Sequence, residues 1–425
     1  MATRMRILRI LGWTAGIVVC LLLILVIYVE MNWDAPQDRP VSDLRAPADS
    51  ATIAQGEYIY KYQSLCWGCH ADPSAESAAD PGAFPQPSGG FLFDLRNAGP
   101  GFGLWYSRNI TSDAGTGIGE WTDGEIVQAL REGIAKKRTL FPIMPIDWYH
   151  GMADEDLLAL AAYLRTLPPV QNKVPDNEPS LFAKALFTFG MLKPKEATTE
   201  PVIRPQREIT PEYGKYLANN LAGCADCHTP RNLQNGQFYY DSLFAGSSFA
   251  YGEDEGAPMI SFAGNITPDM ETGIGTWSEE QFITAVTAGV LPDGSVLTTH
   301  MPYAYYKFWS PEDLKAVYAY LQTVAPIRRT VPDSRLVADL SSAQSVERGA
   351  ILFKARCQAC HGRNSRGAPP TNVSLAEVSA SLSDAELMEF ISTGEMSLNM
   401  PGFAKTLSDK EVSDVVVFIR SIETK

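Results

Sequence analysis

The pentapeptides "CWGCH" (Cys66–His70), "CADCH" (Cys224–His228) and "CQACH" (Cys357–His361) use every cysteine of the chain except Cys20. Two thiols three residues apart, with a histidine directly after the second, are the spacing of c-type haem attachment. In that chemistry each thiol adds across a haem vinyl group to give a thioether, and the adjoining imidazole is held beneath the iron. A disulfide framework explains an even number of cysteines but not a histidine after every second one. A thioredoxin-like site accounts for one motif, not three. Structural zinc needs two further ligands beside each motif, and no further cysteine is present to supply them. Cys66, Cys69, Cys224, Cys227, Cys357 and Cys360 are therefore candidate haem attachment points, with His70, His228 and His361 as candidate iron ligands.

The repetition extends outward from these motifs. "NITSDAGTGIGEW" (Asn109–Trp121) returns as "NITPDMETGIGTW" (Asn265–Trp277), displaced by 156 positions, while the first cysteines differ by 158. The first two units are thus duplicates of one design. The third is shorter, with 43 residues from Cys357 to Met400 against 78 and 77 in the others, and it lacks the "NIT" segment. Gly56, Gly214 and Gly349 lie ten, ten and eight residues before the first cysteine of each unit. Each unit closes on a helix signal, "MADEDLLALAAYL", "SPEDLKAVYAYL" and "LSDKEVSDVVVFI", with Asp154 or Ala153, Ser310 and Ser408 as N-cap candidates. These helices carry Tyr163, Tyr320 and Phe418 at matched positions. A glycine lets an aromatic-bearing helix cross closely, so these residues are expected to pack, not to catalyse.

Each unit also has a methionine followed by proline: "PIMPID", "THMPYA" and "LNMPGF". Methionine is the soft sixth ligand that raises a haem potential, and proline helps present it from a loop. An isolated methionine is usually flexible core filler, but a threefold matched position favours Met144, Met301 and Met400 as ligands. His300 has Ile143 and Asn399 as counterparts, and His150 aligns with Lys307, so both histidines are expected to be neighbours of a site.

Arg4, Arg6 and Arg9 precede an uncharged apolar run, placing a transmembrane anchor at residues 10–29. A cleaved signal peptide is the competing reading, but the run is long and no small-residue cleavage site follows it. The positive-inside rule keeps the arginines in the cytoplasm and everything after about residue 30 across the membrane. With 35 Lys and Arg against 49 Asp and Glu, a net charge of -14 argues against nucleic acid as a partner. The Pro-rich polar stretches "PPVQNKVPDNEP", "TTEPVIRPQREITP" and "APIRRTVPDSRL" read as exposed connections. Between the first two, "SLFAKALFTFGML" (Ser180–Leu192) is an apolar helix that either packs across the first two units or docks on a partner or the membrane face. The loop "GQFYYDSLFAGSSFAY" (Gly236–Tyr251) hints at a partner surface.

The order helix, CxxCH, Met-Pro loop and closing helix resembles the class I cytochrome c fold, three times over. From about residue 51 to 423 the chain resembles the triheme cytochrome c subunit of bacterial membrane-bound dehydrogenases, known from alcohol, gluconate, fructose and aldehyde oxidising complexes. The resemblance implies a mainly α fold with tandem cytochrome c domains at 51–168, 206–325 and 343–423 after the transmembrane helix. It also implies three covalently bound haems c with His/Met ligation. Their implied role is to relay electrons from a flavin, PQQ or molybdenum type of catalytic dehydrogenase subunit to ubiquinone or a terminal oxidase, on the periplasmic side of the bacterial inner membrane. Two other functions fit the residues: a stand-alone anchored shuttle to a terminal oxidase, and a multihaem oxidoreductase such as a peroxidase.

Overall fold

The computed structural model describes residues 2–72, 84–96, 100–198, 200–232, 236–248, 251–254, 257–298, 300–332, 335–336, 343–357, 361, 382–394, 400, 402–403, 407 and 409–423. The chain divides into two compact units. The first comprises 1–249, 263–297 and 301–331, and the second comprises 250–262, 298–300 and 332–425.

In the first unit, α1 (Ala2–Asn32) includes a stretch, Ile10–Asn32, with mean hydropathy 2.9, whose side chains stay exposed from Ile10 to Tyr28. After it an extended strap crosses the first repeat: the Gln37 amide donates to the Lys137 carbonyl at 2.6 Å and the Ala46 amide to Asp123 Oδ2 at 2.9 Å. The repeat proper starts with α2 (Ser50–Tyr58), capped by Asp49, whose carboxylate accepts from the Ala51 and Thr52 amides. It continues through a π turn at 59–63 into α3 (Cys66–His70), α4 (Asp123–Glu132), α5 (Ile146–Tyr149) and α6 (Asp154–Thr166). A small antiparallel sheet of 92–94, 103–106 and 178–179 leads to α7 (Leu181–Thr188). The second repeat gives α8 (Pro211–Tyr216), another π turn at 217–221, α9 (Cys224–His228), α10 (Glu279–Ala288), α11 (Tyr303–Tyr306) and α12 (Pro311–Leu321).

The second unit carries strands at 251–254, 257–261 and 335–336, then α13 (Ala343–Arg356), α14 (Asp384–Thr393) and α15 (Asp409–Glu423). Its core gathers Phe353, Leu387, Ile391, Val412, Val415, Val416 and Ile419.

One helix crossing occurs three times. A Cβ added to Gly56 would lie 1.9 Å from the Ala159 carbonyl oxygen, to Gly214 1.8 Å from that of Ala316, and to Gly349 1.9 Å from that of Asp414. Only glycine allows these backbones to touch. The aromatic expected opposite each glycine is there, with Cβ of Tyr163, Tyr320 and Phe418 next to the same points. These rings pack on Tyr60, Phe244 and Phe353 at centroid distances of 5.1, 5.9 and 5.2 Å, so they serve as packing residues. A second threefold feature is the capping box at the start of α4, α10 and α14: Thr122 with Glu125, Ser278 with Gln281, Ser383 with Glu386.

The N-cap of α12 is Ser310, which accepts from the Asp313 amide at 3.1 Å. At α6 it is Ala153, without a side-chain bond, and Ser408 lies outside the described residues. The connection after the first repeat is bound to it: Asn177 Oδ1 accepts from the Tyr106 amide, and Arg204 reaches Asp156 at 2.8 Å. The Ser180–Leu192 segment forms α7 at its centre. Within the first unit, α7 lies on the foot of α1 and on an aromatic bed of Phe102, Trp105 and Phe141. In the Gly236–Tyr251 loop, Phe244 is buried and Phe238 packs on Trp148, leaving Tyr239 and Tyr240 exposed.

Candidate functional site

Both CxxCH motifs of the first unit are built the same way. A π turn ends in one residue in the left-handed region, Leu65 at φ 49° and Gly223 at φ 59°, and a single helical turn follows. On that turn positions i, i+3 and i+4 share a face, so both sulfurs and the imidazole point to one side.

The imidazoles are oriented by backbone. His70 Nδ1 lies 2.7 Å from the Arg108 carbonyl oxygen, and His228 Nδ1 lies 2.7 Å from that of Gly264. A carbonyl only accepts, so Nδ1 carries the proton and Nε2 keeps its lone pair for a metal. Burial pushes both histidines below the ordinary imidazole range, and the carbonyl bond opposes it more weakly. Each is thus a neutral imidazole, the form that binds iron. The two carbonyls stand immediately before Asn109 and Asn265, which begin the duplicated "NIT" loops.

Those loops are matched bond for bond. Asn109 Oδ1 accepts from the amide and hydroxyl of Thr111 at 2.9 and 2.7 Å, and its Nδ2 donates to the Val170 carbonyl at 2.8 Å. Asn265 does the same with Thr267 at 3.0 and 2.7 Å and with the Ile327 carbonyl at 2.8 Å. The asparagines therefore clamp the histidine-orienting carbonyl to the segment after the closing helix. Gly117 and Gly273 let the loop fold on itself, since a Cβ there would lie 2.4 and 2.1 Å from the carbonyl oxygens of Thr111 and Thr267.

The sulfurs suit thioethers. Burial first, then the neighbouring cysteine, pushes the Cys66 and Cys224 thiols up to about 12. Both thiols therefore stay neutral in the protein alone. Cys66, Cys69, Cys224, Cys227 and Cys357 form no disulfide, and among the described residues no group of three His, Cys, Asp or Glu side chains is placed to share a metal. The donor set thus fits covalent haem with a single proximal histidine.

The Met-Pro loops of the first two repeats share a turn. The Met144 carbonyl accepts from the Ile146 amide and the Met301 carbonyl from the Tyr303 amide, each at 2.7 Å. Pro145 (φ -76°, ψ 56°) and Pro302 (φ -78°, ψ 47°) thus form inverse γ-turns. The half-buried Met144 and Met301 side chains pack on the core that also holds Cys66 and Cys224. Met400 packs with Cys357 on the core of the second unit, where the His361 amide donates to the Cys357 carbonyl at 3.0 Å. Cys360 lies outside the described residues. His150 Nδ1 meets the Arg131 carbonyl at 3.0 Å, and His300 is half-buried.

Three elements of the site are not marked by the sequence motifs. One is the pair of carbonyls. Another is the pair Tyr149 and Tyr306: Tyr149 lies within electrostatic reach of Cys66, Cys69 and Asp226, and Tyr306 of Cys224, Cys227 and Tyr149. Burial raises both phenols far above their ordinary value, so they stay neutral. A signal existed, because each stands five residues after its methionine. Third, Trp67 inside the first motif packs on Tyr305 at 4.6 Å, while Trp148 donates to Asp226 inside the second at 3.0 Å. The two motifs therefore face a common core.

Comparison with known proteins agrees. Residues 344–419 match the family described as cytochrome C oxidase, cbb3-type, subunit III. The chain is 30% identical over 400 residues to the alcohol dehydrogenase (quinone) cytochrome c subunit of Gluconobacter oxydans (strain 621H), covering 88% of this chain and 79% of that protein. It is 27% identical to the gluconate 2-dehydrogenase cytochrome c subunit of Pantoea cypripedii, covering 88% and 86%. The fructose dehydrogenase cytochrome subunit of Gluconobacter japonicus is 28% identical, with 77% and 68% covered. With its haem-attachment motifs, oriented histidines and this likeness along most of its length, the chain belongs to the cytochrome c subunits of membrane-bound dehydrogenases.

Proposed function

We propose that this chain is a membrane-anchored triheme cytochrome that carries electrons from the catalytic subunit of a dehydrogenase to ubiquinone or a terminal oxidase. Three tandem cytochrome c domains, 51–168, 206–325 and 343–423, each hold one haem c. Cys66 and Cys69, Cys224 and Cys227, and Cys357 and Cys360 form the thioethers. His70 with Met144, His228 with Met301, and His361 with Met400 are the axial pairs.

The observation that carries this reading is the matched pair of imidazoles, each half-buried and fixed by a backbone carbonyl at 2.7 Å with Nε2 left to a metal. A bound haem iron supplies a one-electron Fe(III)/Fe(II) couple. The protein's part is to hold that iron rigidly and dry. Arg108 and Gly264 fix the ring planes through their carbonyls, the Pro145 and Pro302 turns present the thioethers, and Tyr149 and Tyr306 fill the space between the two motifs without adding charge. Placing both sites on one core keeps their separation fixed, which suits electron transfer and not substrate turnover.

The N-terminal helix is read as a retained anchor because its foot belongs to the fold. Val29 is 3% exposed, and Glu30 pairs with Lys184 at 2.6 Å, contacts that cleavage would forfeit. With Arg4, Arg6 and Arg9 in the cytoplasm, the haem domains lie on the periplasmic face of the bacterial inner membrane.

Haem staining with intact-mass measurement tests the count, with three haems expected and the uncleaved N-terminus present. Two haems would refute the triheme reading. Purification in mild detergent, followed by reduction of the cytochrome bands on adding alcohols, sugars or aldonates in turn, identifies the electron donor. If no dehydrogenase subunit accompanies the chain and no substrate reduces it, the relay role falls.

A further inference from the structure

We propose that α7 and the turn after it form a second membrane contact, a surface that lies in the phospholipid headgroup layer beside the point where α1 leaves the bilayer. The proposal rests on reading α1 as an anchor.

The level of α7 is set by the last turn of α1. Lys184 Nζ pairs with Glu30 Oε2 at 2.6 Å, Thr188 Oγ1 reaches the Val29 carbonyl at 3.5 Å, and the Phe187 ring meets Trp33 edge-on at 6.3 Å. The apolar span of α1 ends at Asn32. At 1.5 Å of rise per residue, contacts at residues 29–33 fall within about one helical turn of the span's end, which is headgroup depth.

The composition of α7 suits that depth. Ala183 and Leu186 are buried against the fold, while Leu181, Phe182, Phe189 and Met191 are 45%, 38%, 53% and 62% exposed. An apolar face directed away from the fold needs an apolar neighbour, and the bilayer surface is the one that the position of α1 supplies. Tryptophan and lysine flank it as interfacial residues do: Trp33 at the foot of α1, with Lys184 over its ring at 5.9 Å, and Lys193 on the turn that follows. The face is also rigid, because Phe102 packs under Phe182 at 5.7 Å and Phe141 stacks on Trp105 at 4.1 Å. Phe141 lies three residues before Met144, so this contact seats the first repeat on the membrane. Amphipathic segments of this kind bury about 5–10 Å into the headgroup and acyl boundary.

The test uses the full-length holoprotein in phosphatidylethanolamine and phosphatidylglycerol vesicles, with Cys20 replaced by alanine. One environment-sensitive fluorophore is placed through Leu22→Cys, Phe189→Cys, Met191→Cys or Glu212→Cys, Glu212 being an exposed reference on α8. Retention of the haem spectrum verifies each variant. The expected result is loss of fluorescence to lipid-borne quenchers at 22, 189 and 191, deep at 22 and shallow at the other two, with none at 212. Quenching at 22 but not at 189 and 191 overturns the proposal and leaves the anchor standing. A label at 22 that stays in water refutes the anchor and the proposal together. Shielding at 189 and 191 that requires the dehydrogenase catalytic subunit, and fails in lipid alone, overturns it in favour of a protein interface.

Discussion

Asp156 and Asp313 hold the same place in successive repeats, 157 positions apart, yet they are satisfied differently. Asp156, 0% exposed, accepts from Tyr216 Oη at 2.6 Å and Gln55 Nε2 at 3.2 Å and is neutralised by Arg204 at 2.8 Å. Asp313, 1% exposed, accepts from Tyr213 Oη at 3.0 Å, Tyr58 Oη at 3.1 Å and Gln63 Nε2 at 3.4 Å, with Arg207 no nearer than 3.6 Å. Burial, and next the carboxylate itself, push Tyr58, Tyr213 and Tyr216 well up, so their hydroxyls stay protonated and donate. The reciprocity is the lesson. Tyr58 of the first repeat serves the second repeat's carboxylate and N-cap amide, and Tyr216 of the second serves the first's. Duplication thus produced two halves that satisfy each other's buried charges and fold as one compact unit.

The largest effect is expected at the glycine crossings. Alanine at Gly56, Gly214 or Gly349 forces two helix backbones apart and should cost more than about 3 kcal/mol each in urea denaturation. A mild Gly349→Ala would break the equivalence of the third crossing with the other two. Next come the carboxylates. Asp156→Asn, which leaves Arg204 without its buried partner, should cost about 3 kcal/mol and Asp313→Asn about 2 kcal/mol. The reverse order would show that the tyrosines, not the guanidinium, carry the network.

A smaller difference lies before the first cysteine. Gly223→Ala should lose about 1 kcal/mol because a Cβ disfavours the left-handed region, whereas Leu65→Gly should be close to neutral, strain relief being offset by lost packing and a freer unfolded chain. Equal losses would mean that Leu65 is not strained. Acid should then act on both repeats alike. Hydrogen bonds from Thr116 and Thr272 hold the half-buried Asp113 and Asp269 below the usual carboxylate range. Their contribution is present above the unfolded pKa of about 4 and is lost as pH falls through the lower folded value. Both loops should loosen together in amide exchange at acid pH, and loosening of one alone would separate the repeats. The smallest effect is expected at His300: its replacement by alanine should leave the haem spectrum unchanged, while Met301→Ala removes the methionine ligation signature of the second haem.

The chemistry of the site was legible because it is local. Cys66, Cys69 and His70 fall within one helical turn, so their spacing alone places both sulfurs and the ring on one face. Gly56 and Tyr163 were legible through repetition, since a feature kept in register three times is hard to explain as surface variation. The carbonyls of Arg108 and Gly264 left no trace, because a backbone acceptor has no residue type. Asp156 lies in the first turn of the closing helix signal "MADEDLLALAAYL", where nothing in its neighbours marks it as buried, and its partner Arg204 sits in "TTEPVIRPQREITP", which reads as an exposed connection.

The sequence by itself determined which residues are candidates to hold haem, how many times the CxxCH motif occurs and where the apolar span lies, since repetition and hydropathy are written in residue identity and spacing. Only the tertiary structure decided that the first two repeats share one core, that each fills the other's hydrogen-bond deficit, and that α7 lies at the foot of α1. Those outcomes depend on contacts between residues as much as 255 positions apart, where the partner of a buried charge or an apolar face is chosen by packing and not by its neighbours in the chain.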